Sequence, residues 1–162
     1  MTSTSDGNFV FEARGEREIV MAYSLDATPE RVFEAWTSCQ SMAHWYGPAG
    51  HALVVCEMDL REGGAWRFVT RDASGQETAL RGVYREIAPP TRLVHTELWE
   101  AMPDFVTTVT STLDPEGAGT RMMSVVVHTA AESRDGAIGY GMEWGVRQTF
   151  ERLAAHLAAT RG

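Results

Sequence analysis

No stretch of this sequence approaches the run of about 20 apolar residues that a membrane-spanning helix needs, so no membrane span is expected. Basic residues are in deficit as well. Lys plus Arg is 14 against 22 for Asp plus Glu, a net charge of −8. A nucleic-acid binder would carry the opposite footprint, and an anionic membrane would repel such a surface. Cysteine is scarce, with only Cys39 and Cys56. Residues 1–8 are polar and contain no charged-then-apolar leader. The two cysteines are therefore expected as reduced thiols in a cytoplasmic protein, and residues 1–8 as a loose, flexible tail.

The usual marks of catalytic chemistry are also missing. His44, His51, His95, His128 and His156 include no pair at i and i+4 on a helix, and no Cys-x-x-Cys occurs. There is no Gly-x-Ser-x-Gly elbow and no glycine loop of the phosphate-cradling kind. The expectation is no metal and no cofactor. Asp59-Leu60-Arg61-Glu62-Gly63-Gly64 is polar, but it reads best as a hairpin turn. Arg61 can pair there with Asp59 or Glu62, and the glycines take positive φ angles.

What remains is patterning. In the stretch 133–160, Ile138, Met142, Val146, Phe150, Leu153 and Leu157 recur at three- and four-residue steps. This predicts one long amphipathic helix, capped by Ser133 or Asp135, with Glu143, Arg147, Glu151 and Arg152 toward water. Gly139, Gly141 and Gly145 each cost such a helix about 1 kcal/mol relative to alanine. Either close packing against a sheet or room for a ligand would account for them.

Upstream, residues 9–26 alternate as a strand, with 9–11 a short extension of the same edge. Thr28-Pro29 starts a helix, and 38–45 reads as a second short one. Strands are expected at 52–59, 65–71, 80–87, 92–99, 105–113 and 121–129, with 114–119 a loop. The fold class is therefore α+β: an antiparallel sheet of about seven strands, two short helices after the first strand, and one long C-terminal helix. Residues 9–162 form a single domain. Space enclosed between such layers is where small apolar ligands bind.

These residues resemble a known family. Phe33, Ala35, Trp36, Thr37 and Trp45-Tyr46-Gly47-Pro48 are similar to its first signature, and Asp59, Arg61, Gly63 and Gly64 to its second. Gly82, Ile87, Pro89-Pro90 and Arg92-Leu93 resemble the third, and Gly141-Met142 with Gly145 the fourth. The family is the bacterial branch similar to the activator of the heat-shock chaperone ATPase. It lies within the START-like, SRPBCC superfamily and has the helix-grip fold of the birch-pollen allergen. The resemblance runs from about residue 16 to residue 157. It implies a curved sheet closed by the last helix over a deep cavity. Superfamily members hold lipids, sterols, polyketides or plant hormones, and some cyclise polyketides. Many relatives place tryptophan directly after the helix glycine, where this chain has Val146, its own tryptophan being Trp144. The eukaryotic activators contact a chaperone through an additional N-terminal domain for which this chain has no room, which argues against chaperone activation here.

Three functional expectations follow. The first is a non-enzymatic module binding a small apolar molecule, with Trp45, Tyr46, Met58, Trp66, Phe68, Tyr84, Trp99, Met142, Gly145, Val146 and Phe150 around it. The second is an aromatase/cyclase-like enzyme. His95 and Glu97, which share a strand face, would move protons in it. The third is a partner-binding protein with an apolar patch around residues 45–48, touching a chaperone or, as a homodimer, its own copy.

Overall fold

The computed structural model describes the backbone of residues 3–6 and 8–160 and the side chains of 8–160. Strands β1 (Ser3–Asp6), β2 (Phe9–Arg14) and β3 (Glu18–Leu25) come first, followed by the short helices α1 (Pro29–Trp36) and α2 (Cys39–Met42). Next are β4 (Ala52–Met58), β5 (Ala65–Arg71), β6 (Glu77–Ala88), β7 (Arg92–Trp99), β8 (Thr107–Glu116) and β9 (Gly119–Val127). Helices α3 (Ala131–Gly139) and α4 (Met142–Ala159) close the chain. All strand pairs are antiparallel, in the order β1-β2-β3-β9-β8-β7-β6-β5-β4. This is the α+β helix-grip architecture.

Among the described residues the sheet has nine strands rather than about seven. The stretch 9–26 is a hairpin rather than one strand, with Gly15 at φ +59 in its turn. Ser3–Asp6, in the segment read as a tail, pairs with β2 as an edge strand. Met1, Thr2 and Gly7 lie outside the described residues. The loop expected at 114–119 is instead the tip of the β8–β9 hairpin, with Glu116 opposite Gly119.

The first helix starts as its sequence dictates. The Thr28 hydroxyl accepts from the Arg31 amide at 3.3 Å, and Pro29 occupies the first turn. The Ser38 hydroxyl caps α2 in the same way.

The expected single long helix is two. Gly141 takes φ +87, a left-handed conformation that glycine adopts at least cost, and the helix breaks there. Neither Ser133 nor Asp135 caps α3, whose N-cap is Ala130. Ser133 instead donates back to the Ala130 carbonyl at 2.9 Å. Arg134 donates to the carbonyls of Gly15 and Glu18 and so ties α3 to the β2–β3 turn.

Helix α4 packs through Phe150, Leu153 and Leu157, all buried. The Phe150 ring stacks on Tyr23, 5.2 Å between centroids, and also meets Phe9 and Trp36. Arg31 of α1 donates to the Leu157 carbonyl at 2.8 Å, a cation placed where the helix dipole favours it.

The cysteines are a second correction. Cys39 and Cys56 are joined in a disulfide that links α2 to β4, so they are not two free thiols. Disulfides are rare in the reducing cytosol, and the free-thiol argument for a cytoplasmic location falls away. No helix among the described residues is long and apolar enough to cross a membrane.

Candidate functional site

A cavity of about 410 Å³ lies between the sheet and α4. Its floor comes from the inward positions of adjacent strands. These are Met21 on β3, Thr78 and Leu80 on β6, Leu93, His95 and Glu97 on β7, Val109, Ser111 and Leu113 on β8, and Met122, Ser124 and Val126 on β9. The two-residue strand period puts each set on one face. The register aligns Ser111 with Ser124 and Val109 with Val126. The two serine hydroxyls bond each other at 2.8 Å, so neither is left without a partner. The roof is Met142, Gly145, Val146, Thr149 and Phe150 of α4, and the lip is Tyr46, Gly47, Pro48 and His51.

That lip is held by a side chain assigned to the water-facing side. The Nη1 of Arg152 donates to the carbonyls of Tyr46 (3.3 Å), Gly47 (2.8 Å), Pro48 (3.1 Å) and His51 (3.2 Å). Its Nη2 reaches the His44 carbonyl at 3.5 Å. Desolvation lowers its pKa from the usual guanidinium value. Gln148 accepts from the Ala49 amide at 2.9 Å, and the disulfide pins both ends of the segment. A Cβ on Gly145 would sit 3.7 Å from Pro48, an ordinary contact, so the glycine leaves space beside the lip.

The aromatic set named from sequence divides. Tyr46, Met142, Gly145, Val146 and Phe150 line the cavity. Trp45 does not. It is fully buried, and its indole N–H donates to the Ala35 carbonyl at 3.3 Å. Phe68 and Tyr84 are buried in the core. Met58 and Trp66 face a second hollow of about 700 Å³, whose Arg67 is already paired with Glu100 at 2.7 Å. Trp99 is 39% exposed and meets Tyr140 edge-on. Trp144 is 57% exposed, while Val146 faces the cavity.

No exposed aromatic patch exists at residues 45–48, because Trp45 is fully buried and Gly47 is buried with it. The exposed aromatics are elsewhere, at Trp99, Phe105, Tyr140 and Trp144.

His95 and Glu97 both reach the cavity, with His95 Nε2 3.7 Å from Glu97 Oε1. His95 Nδ1 is buried without a partner, and the ring sits edge-on to Trp66. The Tyr46 hydroxyl is held protonated well above the usual tyrosine range, first by burial, then by the charge of Glu97 and by Tyr84. Burial raises Tyr84 too. Among the described residues no three His, Cys, Asp or Glu converge as a metal site. In the 59–64 turn, Arg61 pairs with Asp59 at 2.9 Å, and Gly63 has φ +86. Sequence reasoning missed Arg152, His51, Thr78, Ser111 and Ser124. For the strand residues the signal was available in the alternation.

Residues 26–158 match the family model described as Activator of Hsp90 ATPase homolog 1-like protein. A protein of Rhodobacter sphaeroides is 26% identical, with 94% of this chain and 99% of that one covered and a TM-score of 0.86. A protein of Chromobacterium violaceum is 30% identical, covering 87% and 96%, at a TM-score of 0.77. A Silicibacter pomeroyi protein described by the same family designation shares the fold at 19% identity, covering 88% and 98%, with a TM-score of 0.74. No curated protein matches the chain. With most of its length matched by the family model, the chain belongs to the family of Activator of Hsp90 ATPase homolog 1-like proteins, within the START-like, SRPBCC superfamily.

Proposed function

We propose that this protein is a binding module that holds a small, largely apolar molecule between its sheet and α4. One observation carries the reading. The surface that faces the 410 Å³ cavity is predominantly apolar, with Met, Leu, Val, Phe and Trp supplying half of the lining residues and polar side chains such as His95, Glu97 and the Ser111–Ser124 pair at fixed places among them. Pockets for small molecules typically have this composition and span roughly 300–1,000 Å³. Gly145 supports it, since a helix interior tolerates glycine at a cost of about 1 kcal/mol and here the missing side chain borders the cavity.

The test is a titration with an uncharged fluorescent probe, N-phenylnaphthylamine. Saturable binding is expected. Gly145→Leu would place its side chain in the cavity or against Pro48, and affinity should fall at least tenfold. The helix itself should gain about 1 kcal/mol, so thermal stability holds. A variant that keeps the probe affinity refutes the reading.

A second reading has one observation in its favour. His95 and Glu97 lie together at the cavity wall, so a bound substrate would meet a histidine and a carboxylate capable of general acid–base work. Turnover of a β-polyketone analogue, lost in His95→Gln, would support a cyclase-like activity.

A further inference from the structure

We infer that the cavity selects amphiphiles whose polar end is a cation or a neutral hydrogen-bond donor, with Glu97 as the selecting group, and that it rejects carboxylates. This rests on the binding-module reading and names the ligand class for the same cavity.

Among the described lining residues, Glu97 is the one side chain that is ionised by default at neutral pH. The chain has no lysine at all, and among the described residues no arginine lines the cavity. Of the α4 arginines, Arg152 is spent on the lip carbonyls, and Arg147 lies over the Phe9 ring. Among the described residues Glu97 therefore has no arginine partner, and His95 alone stands beside it. Its oxygens accept no hydrogen bond from the described residues, and His95 Nε2 stands 3.7 Å away, beyond hydrogen-bond distance. The carboxylate is thus set to accept from an incoming group.

Its side chain is 34% exposed, so the carboxylate is reachable by an incoming group. The field of that charge is felt inside, where it contributes to holding Tyr46 protonated. A ligand carboxylate would bring a second negative charge into a space with low-dielectric walls, where like charges repel far more strongly than in water. An ammonium or hydroxyl would instead gain a hydrogen bond to a charged acceptor. The apolar body of the same molecule would lie along Leu93, Val109, Met142 and Val146. The net charge of −8 works in the same direction during encounter.

The experiment displaces N-phenylnaphthylamine with decylamine, decanol and decanoate below their aggregation concentrations, at neutral pH and in 0.15 M salt. In the wild type, decylamine should displace the probe at a concentration at least about tenfold lower than decanoate, the span of one charge-assisted hydrogen bond. Affinities are read relative to decanol in each variant, which removes changes in apolar packing. In Glu97→Gln the amine-to-carboxylate ratio should fall to within about threefold. Circular dichroism confirms that this near-isosteric variant is folded. Equal displacement by decanoate and decylamine in the wild type overturns the inference. So does a preference that persists in Glu97→Gln, which would assign it to the general surface charge. Both outcomes leave the cavity as a binding site. Absence of any saturable probe binding overturns the binding-module reading and this inference with it.

Discussion

Arg152 separates two accounts of the same helix. On a water-facing side its replacement would change stability by no more than about 0.5 kcal/mol, as most surface substitutions do. In the structure its Nη1 faces four carbonyl oxygens, those of Tyr46, Gly47, Pro48 and His51. That nitrogen carries two hydrogens, so about two full hydrogen bonds are made at a time and shared among the four. Hydrogen bonds to a charged group contribute about 1.5–3 kcal/mol each. The site is part-buried, so water recovers some of the loss when the guanidinium is removed. Arg152→Met keeps the apolar stem and should therefore cost about 2–4 kcal/mol. Urea unfolding measures it as a lower midpoint at unchanged slope. Glu151→Gln, one residue away on an exposed position, should stay within about 0.5 kcal/mol. Arg152→Lys should recover only part of the loss, because an ammonium lacks the planar fork. The lip residues line the cavity, so probe affinity should drop in Arg152→Met as well. A midpoint within 0.5 kcal/mol of wild type would refute this account of the lip.

Two further outcomes follow from the same coordinates. Cys39 and Cys56 are 17 residues apart, and closing a loop of that length limits the unfolded chain by about 3 kcal/mol. Reduction, or the Cys39→Ser/Cys56→Ser pair, should lower stability by roughly that amount. Thiol titration in denaturant should find essentially no free thiol before reduction, and two thiols there would refute the bond. The second outcome concerns pH. Burial lowers His128 below its usual value of about 6.5, with the Arg134 charge acting in the same direction. The native state then binds fewer protons than the unfolded chain as pH falls through that value. The contribution is full above about pH 6.5 and is lost below it, until the native pKa is passed. Urea midpoints should fall from pH 7.5 to pH 5.5, and by less in His128→Gln. An identical fall in that variant would remove His128 from the account. His156, lowered by burial and by stacked His44, adds to the same trend.

Much of the architecture was legible because its signals are local. Thr28-Pro29 marks a helix start through a cap and a fixed φ, and the alternation of Trp66 and Phe68 with Arg67 and Arg71 marks a strand through its two faces. The misses share a cause, which is dependence on distant partners. Ser3–Asp6 has no apolar period, and it is a strand because β2 offers it a free edge. The disulfide requires α2 and β4 to be neighbours, which no spacing between Cys39 and Cys56 specifies. Arg152 sits on a helix like any solvated arginine until carbonyls about 100 residues away in sequence fold over it. Gly141 was visible as a weakness in the helix, but its left-handed break was not.

The candidate site carries a more specific lesson. Aromatic residues were chosen as cavity lining, yet at one end of the sheet large rings fill space with one another. The Trp66 ring centroid lies 4.7 Å from that of Phe68, and the Phe68 centroid 5.2 Å from that of Tyr46, so these rings spend their faces on one another rather than on the cavity floor. The cavity opens where inward residues are small or medium on neighbouring strands, at Ser111 against Ser124 and Val109 against Val126. The roof over them includes Gly145, which has no side chain to lower into the gap. A hollow in such a fold is encoded by what fails to reach across it. Small inward side chains at paired strand positions, set beneath a helix glycine, are therefore a better sequence marker for the site than the sum of its tryptophans and tyrosines.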